Sequence, residues 1–221
     1  MSDKKFTWII LIVFAILTTG VVGTNFLIDP MWHYAHAHEL NDVQKVINER
    51  EQKTAELKYQ DEEFDTILIG SSRSTYISPK SFGDWNVYNY SVANLSMREY
   101  QSMMMYAEKT NDISVERYIL GVDFFKSSEK EAGIAQSINN YESKVDTSFY
   151  RAKNLLSLDL LDYSIENIQL SSNDKISEDR LYNRHNTAFA KKLTEQEIQK
   201  GTAQKIIRFK QEFYGTNYNY Y

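Results

Sequence analysis

The residues best placed to do chemistry stand in one short block, Ile67-Leu68-Ile69-Gly70-Ser71-Ser72-Arg73-Ser74. An unbroken apolar run closed by glycine reads as a strand buried on both faces, so the serines that follow stand at its carboxyl end. Open α/β sheets bind and react at that edge. A hydroxyl there could attack an acyl carbon, with the backbone N–H groups of a following helix N-terminus aimed at the oxyanion. Gly-Ser-Ser also makes a good turn, and spacing alone leaves both readings open.

A serine nucleophile needs a base, and the chain has four histidines. Three of them, His33, His36 and His38, lie within Met31–His38. Their spacing could bind a transition metal, but nothing acidic is interleaved, and a segment at a membrane interface explains them equally well. No metal and no other cofactor is therefore expected. The fourth, His185, follows Asp179-Arg180-Leu181-Tyr182-Asn183-Arg184 and reads as a surface histidine, with the role of base as the alternative. The absence of cysteine removes disulfides, thiolate metal sites and a cysteine nucleophile. In an exported chain it points to a lineage that does without disulfides, as in many Gram-positive bacteria.

The elements that must position these groups follow from the pattern of apolar residues. Thr66–Gly70, Asn86–Val92 and Arg117–Phe125 read as strands, and Ser96–Lys109 is helical in period, with Met97, Tyr100, Met104 and Ala107 on one face. Strand, helix and strand in that order favour a parallel α/β sheet. The methionines Met103–Met105 read as filler of a helix–sheet core. Residues 41–60 read as a solvated helix capped by Asn41 or Asp42, lifting the domain off a membrane, and Gln60–Asp65 as an acidic linker. Tyr150–Tyr163 and Ala188–Phe213 look helical, and the chain closes on a tyrosine-rich run, Phe213–Tyr221. Three strands make a thin sheet; either the later segments hide strands or part of the fold is absent.

From about Asn25 to His185 the chain resembles the SGNH (GDSL-type) hydrolases and acyltransferases, and within them the membrane-anchored bacterial members linked to surface-polysaccharide modification. The likeness rests on Asp29-Pro30 after an apolar segment, on Ile67–Ser74, on Asn89-Tyr90-Ser91-Val92-Ala93-Asn94-Leu95-Ser96 and on Ile119-Leu120-Gly121-Val122-Asp123-Phe124-Phe125. It implies a flavodoxin-like, three-layer parallel sheet. Gly70-Ser71-Ser72 stands at the family's Gly-Asp-Ser, which makes Ser72 the nucleophile and its own N–H an oxyanion donor. Asn94 stands where the second block has glycine and would serve through its backbone N–H. Gly121-Val122-Asp123 stands at Gly-x-Asn-Asp; an Asp123 carboxylate donates to an oxyanion only when protonated. The family's Asp-x-x-His block, which supplies base and orienting acid, does not occur in the sequence. The resemblance therefore implies an incomplete sheet, from a gene fragment, a shortened paralogue or half of a split pair, and little turnover by the chain alone.

Phe6–Ile28 carries no charge over 23 residues, enough for a helix to cross the hydrocarbon core. Lys4 and Lys5 precede it and Asp29 and Glu39 follow, which orients the N-terminus to the cytoplasm and the rest outside. A cleaved signal peptide with Val21-Val22-Gly23 as its cleavage site is the rival, but the run exceeds the usual signal-peptide length. The expected organisation is a cytoplasmic stub and anchor (1–28), a juxtamembrane helix and linker (29–65) and an incomplete extracytoplasmic SGNH-like domain (66–221). The net charge of −5 argues against nucleic acid. The membrane, and an envelope polysaccharide or a partner protein, are the expected partners. A non-catalytic envelope scaffold or binding subunit is the alternative to an esterase or O-acyltransferase ancestry.

Overall fold

The computed structural model describes residues 3–60, 63–111, 114–123, 139–172 and 180–189. Residues 190–213 of the last expected helix, the Phe213–Tyr221 run, Asp61, Glu62, Phe124 and Phe125 lie outside them.

The fold is mixed α/β behind one long N-terminal helix, α1 (Asp3–Ile28), which is long and apolar enough to cross a membrane. Asp29 ends it with a left-handed φ of 51°, a conformation that aspartate tolerates better than most residues. The orphan carbonyls of the last turn are taken up by side chains of the next segment. His36 Nε2, His38 Nε2 and Asn41 Nδ2 lie 2.9, 2.8 and 3.3 Å from the Leu27 carbonyl, and Gln44 Nε2 donates to that of Ile28 at 3.1 Å.

Two three-stranded sheets follow. In the parallel sheet the order is β3 (Val87–Asn89), β2 (Thr66–Gly70), β4 (Arg117–Gly121), with Thr66 opposite both Val87 and Arg117. The central strand β2 is buried at every position, as its unbroken apolar run requires, whereas the edge strand β4 alternates between more and less exposed residues. Helix α3 (Tyr100–Thr110) starts from a capping box of Ser96 and Glu99. It buries Tyr100, Met103, Tyr106 and Ala107 against Ile67, Ile69, Tyr88 and Tyr90, and Met105 is exposed.

The second sheet was not expected. Strand β1 (Val43–Gln44) pairs antiparallel with β5 (Leu181–Asn183), which pairs with β6 (Ala188–Phe189). The later segments do hide strands, but these extend residues 43–44 rather than the parallel sheet, and Ala188–Phe189 is strand rather than helix.

Helix α2 (Glu49–Tyr59) corrects the reading of residues 41–60. It begins later, at the Asn48 cap whose side chain accepts from the Glu51 N–H, and it is not a solvated spacer. Gln52, Lys53, Thr54 and Ala55 are fully buried and Glu49, Arg50 and Glu56 nearly so. Such a polar helix survives in the interior because each group is partnered. Gln52 accepts from Ile47 and Asn48 N–H and donates to the Pro30 carbonyl at 2.8 Å. Lys53 Nζ donates to the Asn89 carbonyl at 2.7 Å and lies 5.1 Å from the Tyr182 ring centroid. Burial pulls its pKa down to about 8, against the pull of Glu49 and Glu56.

Met31–His33, the start of the segment after α1, are likewise interior. Trp32 packs on Tyr182 with ring centroids 5.1 Å apart, and His33 is buried near Tyr59 and Tyr150. Desolvation, helped by Arg151, drives the His33 pKa down to about 3. Asp29 accepts from the His33 and Tyr34 N–H groups at 2.8 and 2.9 Å and pairs with Arg184 at 3.0 Å, an ion pair with both side chains buried. Burial raises the Asp29 pKa, while the Arg184 guanidinium and those N–H groups oppose the rise. The expected helix over 150–163 is two helices, α5 (Tyr150–Leu155) and α6 (Leu158–Ser171), broken where Ser157 caps the second; a short helix α4 (Asn139–Val145) precedes them.

Candidate functional site

Three segments meet beyond the carboxyl ends of the parallel strands. The first is the turn after β2. Gly70 lies opposite Gly121 of β4, and the Ser74 side chain folds back over both. A Cβ on either glycine would collide with Ser74 Oγ, so the pair is required for space rather than for backbone conformation. The turn is tied by the Ser74 N–H to the Ser71 carbonyl at 2.9 Å and by the Thr75 hydroxyl to the Ser72 carbonyl at 2.7 Å. Asn89 at the end of β3 holds it from the side, donating to the Ser74 and Ile77 carbonyls, both at 2.9 Å.

Within this turn the serines differ. Ser71 is buried, and its hydroxyl donates to Asp123, whose other oxygen lies 3.5 Å from Arg73 Nη1. Ser72 is half-buried, and among the described residues its hydroxyl has no hydrogen-bond partner. Asp123 thus stands at the third-block position and faces Ser71 and Arg73.

The second segment, Val92–Ser96, carries Asn94, which is exposed with φ 54°. That left-handed conformation favours glycine, and asparagine is among the side chains that adopt it most readily. The loop is clamped by α2. Arg50 donates to the Ala93 and Asn94 carbonyls at 3.4 and 3.5 Å, and its guanidinium makes a two-pronged pair with Glu99 at 3.0 and 3.1 Å. The Glu49 carboxylate accepts the Ala93 N–H. Sequence reasoning missed Glu49 and Arg50: it placed the helix cap at Asn41 or Asp42 rather than at Asn48, and nothing in the pattern marks what the two residues hold.

His185 is elsewhere. It sits exposed in the turn of the β5–β6 hairpin and lines a cleft of about 280 Å³ with Glu56, Lys80, Trp85 and Asn186, a cleft that Ser72 does not line. The structure therefore brings Ser71, Ser72, Asn94 and Asp123 to one edge of the sheet and does not bring His185 to them. His33, His36 and His38 serve the interior and the end of α1; among the described residues no three potential ligands cluster around a metal-sized site.

What the edge can do chemically is limited by proton transfer. A serine hydroxyl at a strand end that closes on glycine suits an acyl carbon. Among the described residues no base is poised on Ser72. No family model, curated protein or solved structure matches this chain.

Proposed function

We propose that the chain is a membrane-anchored, extracytoplasmic protein of the SGNH type, with a flavodoxin-like sheet. Its Ser72 edge is an ester-hydrolysis or acyl-transfer site for cell-envelope glycans that turns over little alone. The observation that supports this reading is the convergence of Ser72, Asn94 and Asp123, from three separated blocks, at the carboxyl edge of one parallel sheet. The orientation, with α1 as anchor and the domain outside, rests on Lys4 and Lys5 before the apolar helix. A second reading, a non-catalytic envelope scaffold, is favoured by one contact: Asp123 is engaged by Ser71 and Arg73 rather than by a base.

Rescue by a small base separates the two. The full chain in detergent should hydrolyse p-nitrophenyl acetate slowly, since proton transfer is worth roughly 10²–10⁴-fold. Added imidazole should raise the rate of the wild type above that of Ser72→Ala, and a fluorophosphonate probe should label Ser72. Identical rates for the two proteins at all imidazole concentrations, without labelling, would remove the ester site and leave the scaffold. Fast turnover without imidazole, lost equally in Ser72→Ala and His185→Ala, would show that His185 reaches the site after all.

A further inference from the structure

The junction between α1 and the domain is a tight one. Asn25, 2% exposed, donates through Nδ2 toward the carbonyls of Asn154, Leu155 and Ser157 at 3.4, 3.0 and 2.9 Å, and its Oδ1 accepts the Ser164 hydroxyl at 2.9 Å. These partners are the elbow between α5 and α6 and the second turn of α6. A polar side chain with four such contacts fixes the elbow to the helix at its own level.

That level can be computed. From Phe6 to Asn25 a helix rises about 30 Å, the thickness of the hydrocarbon core, so Asn25 stands at the outer boundary of a bilayer spanned by α1. The contact also runs downward. α1 packs along α5 and α6, and Thr18 and Val21–Thr24 are partly shielded and Asn25 buried, while Asp3–Leu17 is exposed. Thr18 lies about 10 Å below Asn25, so part of the α5–α6 unit reaches into the depth of the outer leaflet.

Three large apolar side chains are exposed there. Leu156 is 55%, Leu158 67% and Ile165 43% exposed. Leu158, Leu161, Ile165 and Ile168 fall within about a quarter of the α6 circumference, bordered by the face carrying Ser164 on one side and by the exposed Asp162 and Gln169 on the other, while Asp159 and Glu166 turn away. We propose that the α5–α6 elbow and this stripe of α6 are embedded in the outer-leaflet interface of the membrane that α1 crosses, so that the domain lies on the lipid surface. The inference rests on the reading of α1 as an outward-facing anchor. A second copy of the chain is a poorer occupant, because a narrow stripe falls far short of the roughly 1,200–2,000 Å² of a stable interface.

The chain contains no cysteine, so single cysteines can be labelled without background. The full chain with NBD at Leu156→Cys, Leu158→Cys, Phe14→Cys or Asp84→Cys would be reconstituted into phosphatidylcholine–phosphatidylglycerol vesicles and quenched with brominated lipids. The expected result is quenching at Phe14, Leu156 and Leu158 but not Asp84, with the two elbow labels within about 5–10 Å of the headgroup boundary. Quenching at Phe14 alone would overturn the embedded elbow and leave the anchor standing. No quenching at Phe14 would remove the anchor reading and the elbow with it. Elbow labels that turn blue without lipid quenching, increasingly so as protein density rises, would assign the stripe to a second copy and also overturn the proposal.

Discussion

Replacing Lys53 by methionine should remove a pH dependence of stability that the wild type carries. Lys53 is completely buried on α2, with Glu49, Glu56, Arg180 and the Tyr182 ring around it. Its pKa falls from 10.5 to about 8 on folding, so between those values the unfolded chain binds more protons and stability rises with pH. For one such group the gain from pH 7.5 to 9.5 is about 2 kcal/mol, which in a domain of this size corresponds to roughly 4–8 °C in Tm. The measurement is the unfolding of the full chain in detergent at both pH values, by circular dichroism, for wild type and Lys53→Met. Other titrating groups cancel in the difference, which should show the wild type gaining about 2 kcal/mol more than the variant. Parallel pH profiles would mean that Lys53 is not held in a dry interior and that the burial of α2 is misjudged.

Asp29→Asn should destabilise the fold by about 3–5 kcal/mol at neutral pH, because it leaves the buried Arg184 guanidinium without its counter-charge; a loss under about 1 kcal/mol in the same unfolding assay would refute that account, since exposed pairs are worth that little. Gly70→Ala should cost about 1–3 kcal/mol through collision with Ser74 Oγ, and Ser74→Gly in the same chain should recover much of it. Strictly additive effects in that double-mutant cycle would show that the two positions do not touch.

The parts of the fold legible in the sequence are those whose pattern is local. β2 announces itself because a strand buried on both faces must be apolar throughout, and α1 because its uncharged run is long enough for one unbroken apolar helix of membrane-spanning length. The turn bearing Ser72 followed from the end of β2. α2 defeated the same reasoning: its mean polarity is that of a surface helix, and it is interior only because Glu49, Arg50, Lys53 and Glu56 find Tyr182, Glu99, Asn89 and Asn186 far along the chain. Hydrophobic periodicity carries no trace of such partners. β5 and β6 have three and two residues, too few to show an alternation. Trp32 and His33 looked interfacial because aromatics gather there, yet Asp29 and Arg184 turn that segment inward.

The pairing of Val43 with Asn183 has a bearing on biogenesis. A chain that emerges N-terminus first exposes β1 and the charged face of α2 long before the β5–β6 hairpin exists to cover them. Loop closure over so many residues is slow, and contacts this remote in sequence form late. Until synthesis has passed Phe189, the Asp29 carboxylate and the α2 acids lack Arg184, Tyr182 and Asn186, and the half-made product is open to proteases and chaperones. Quality control thus has a built-in end point: the segment that follows α1 becomes resistant only when the far hairpin has docked.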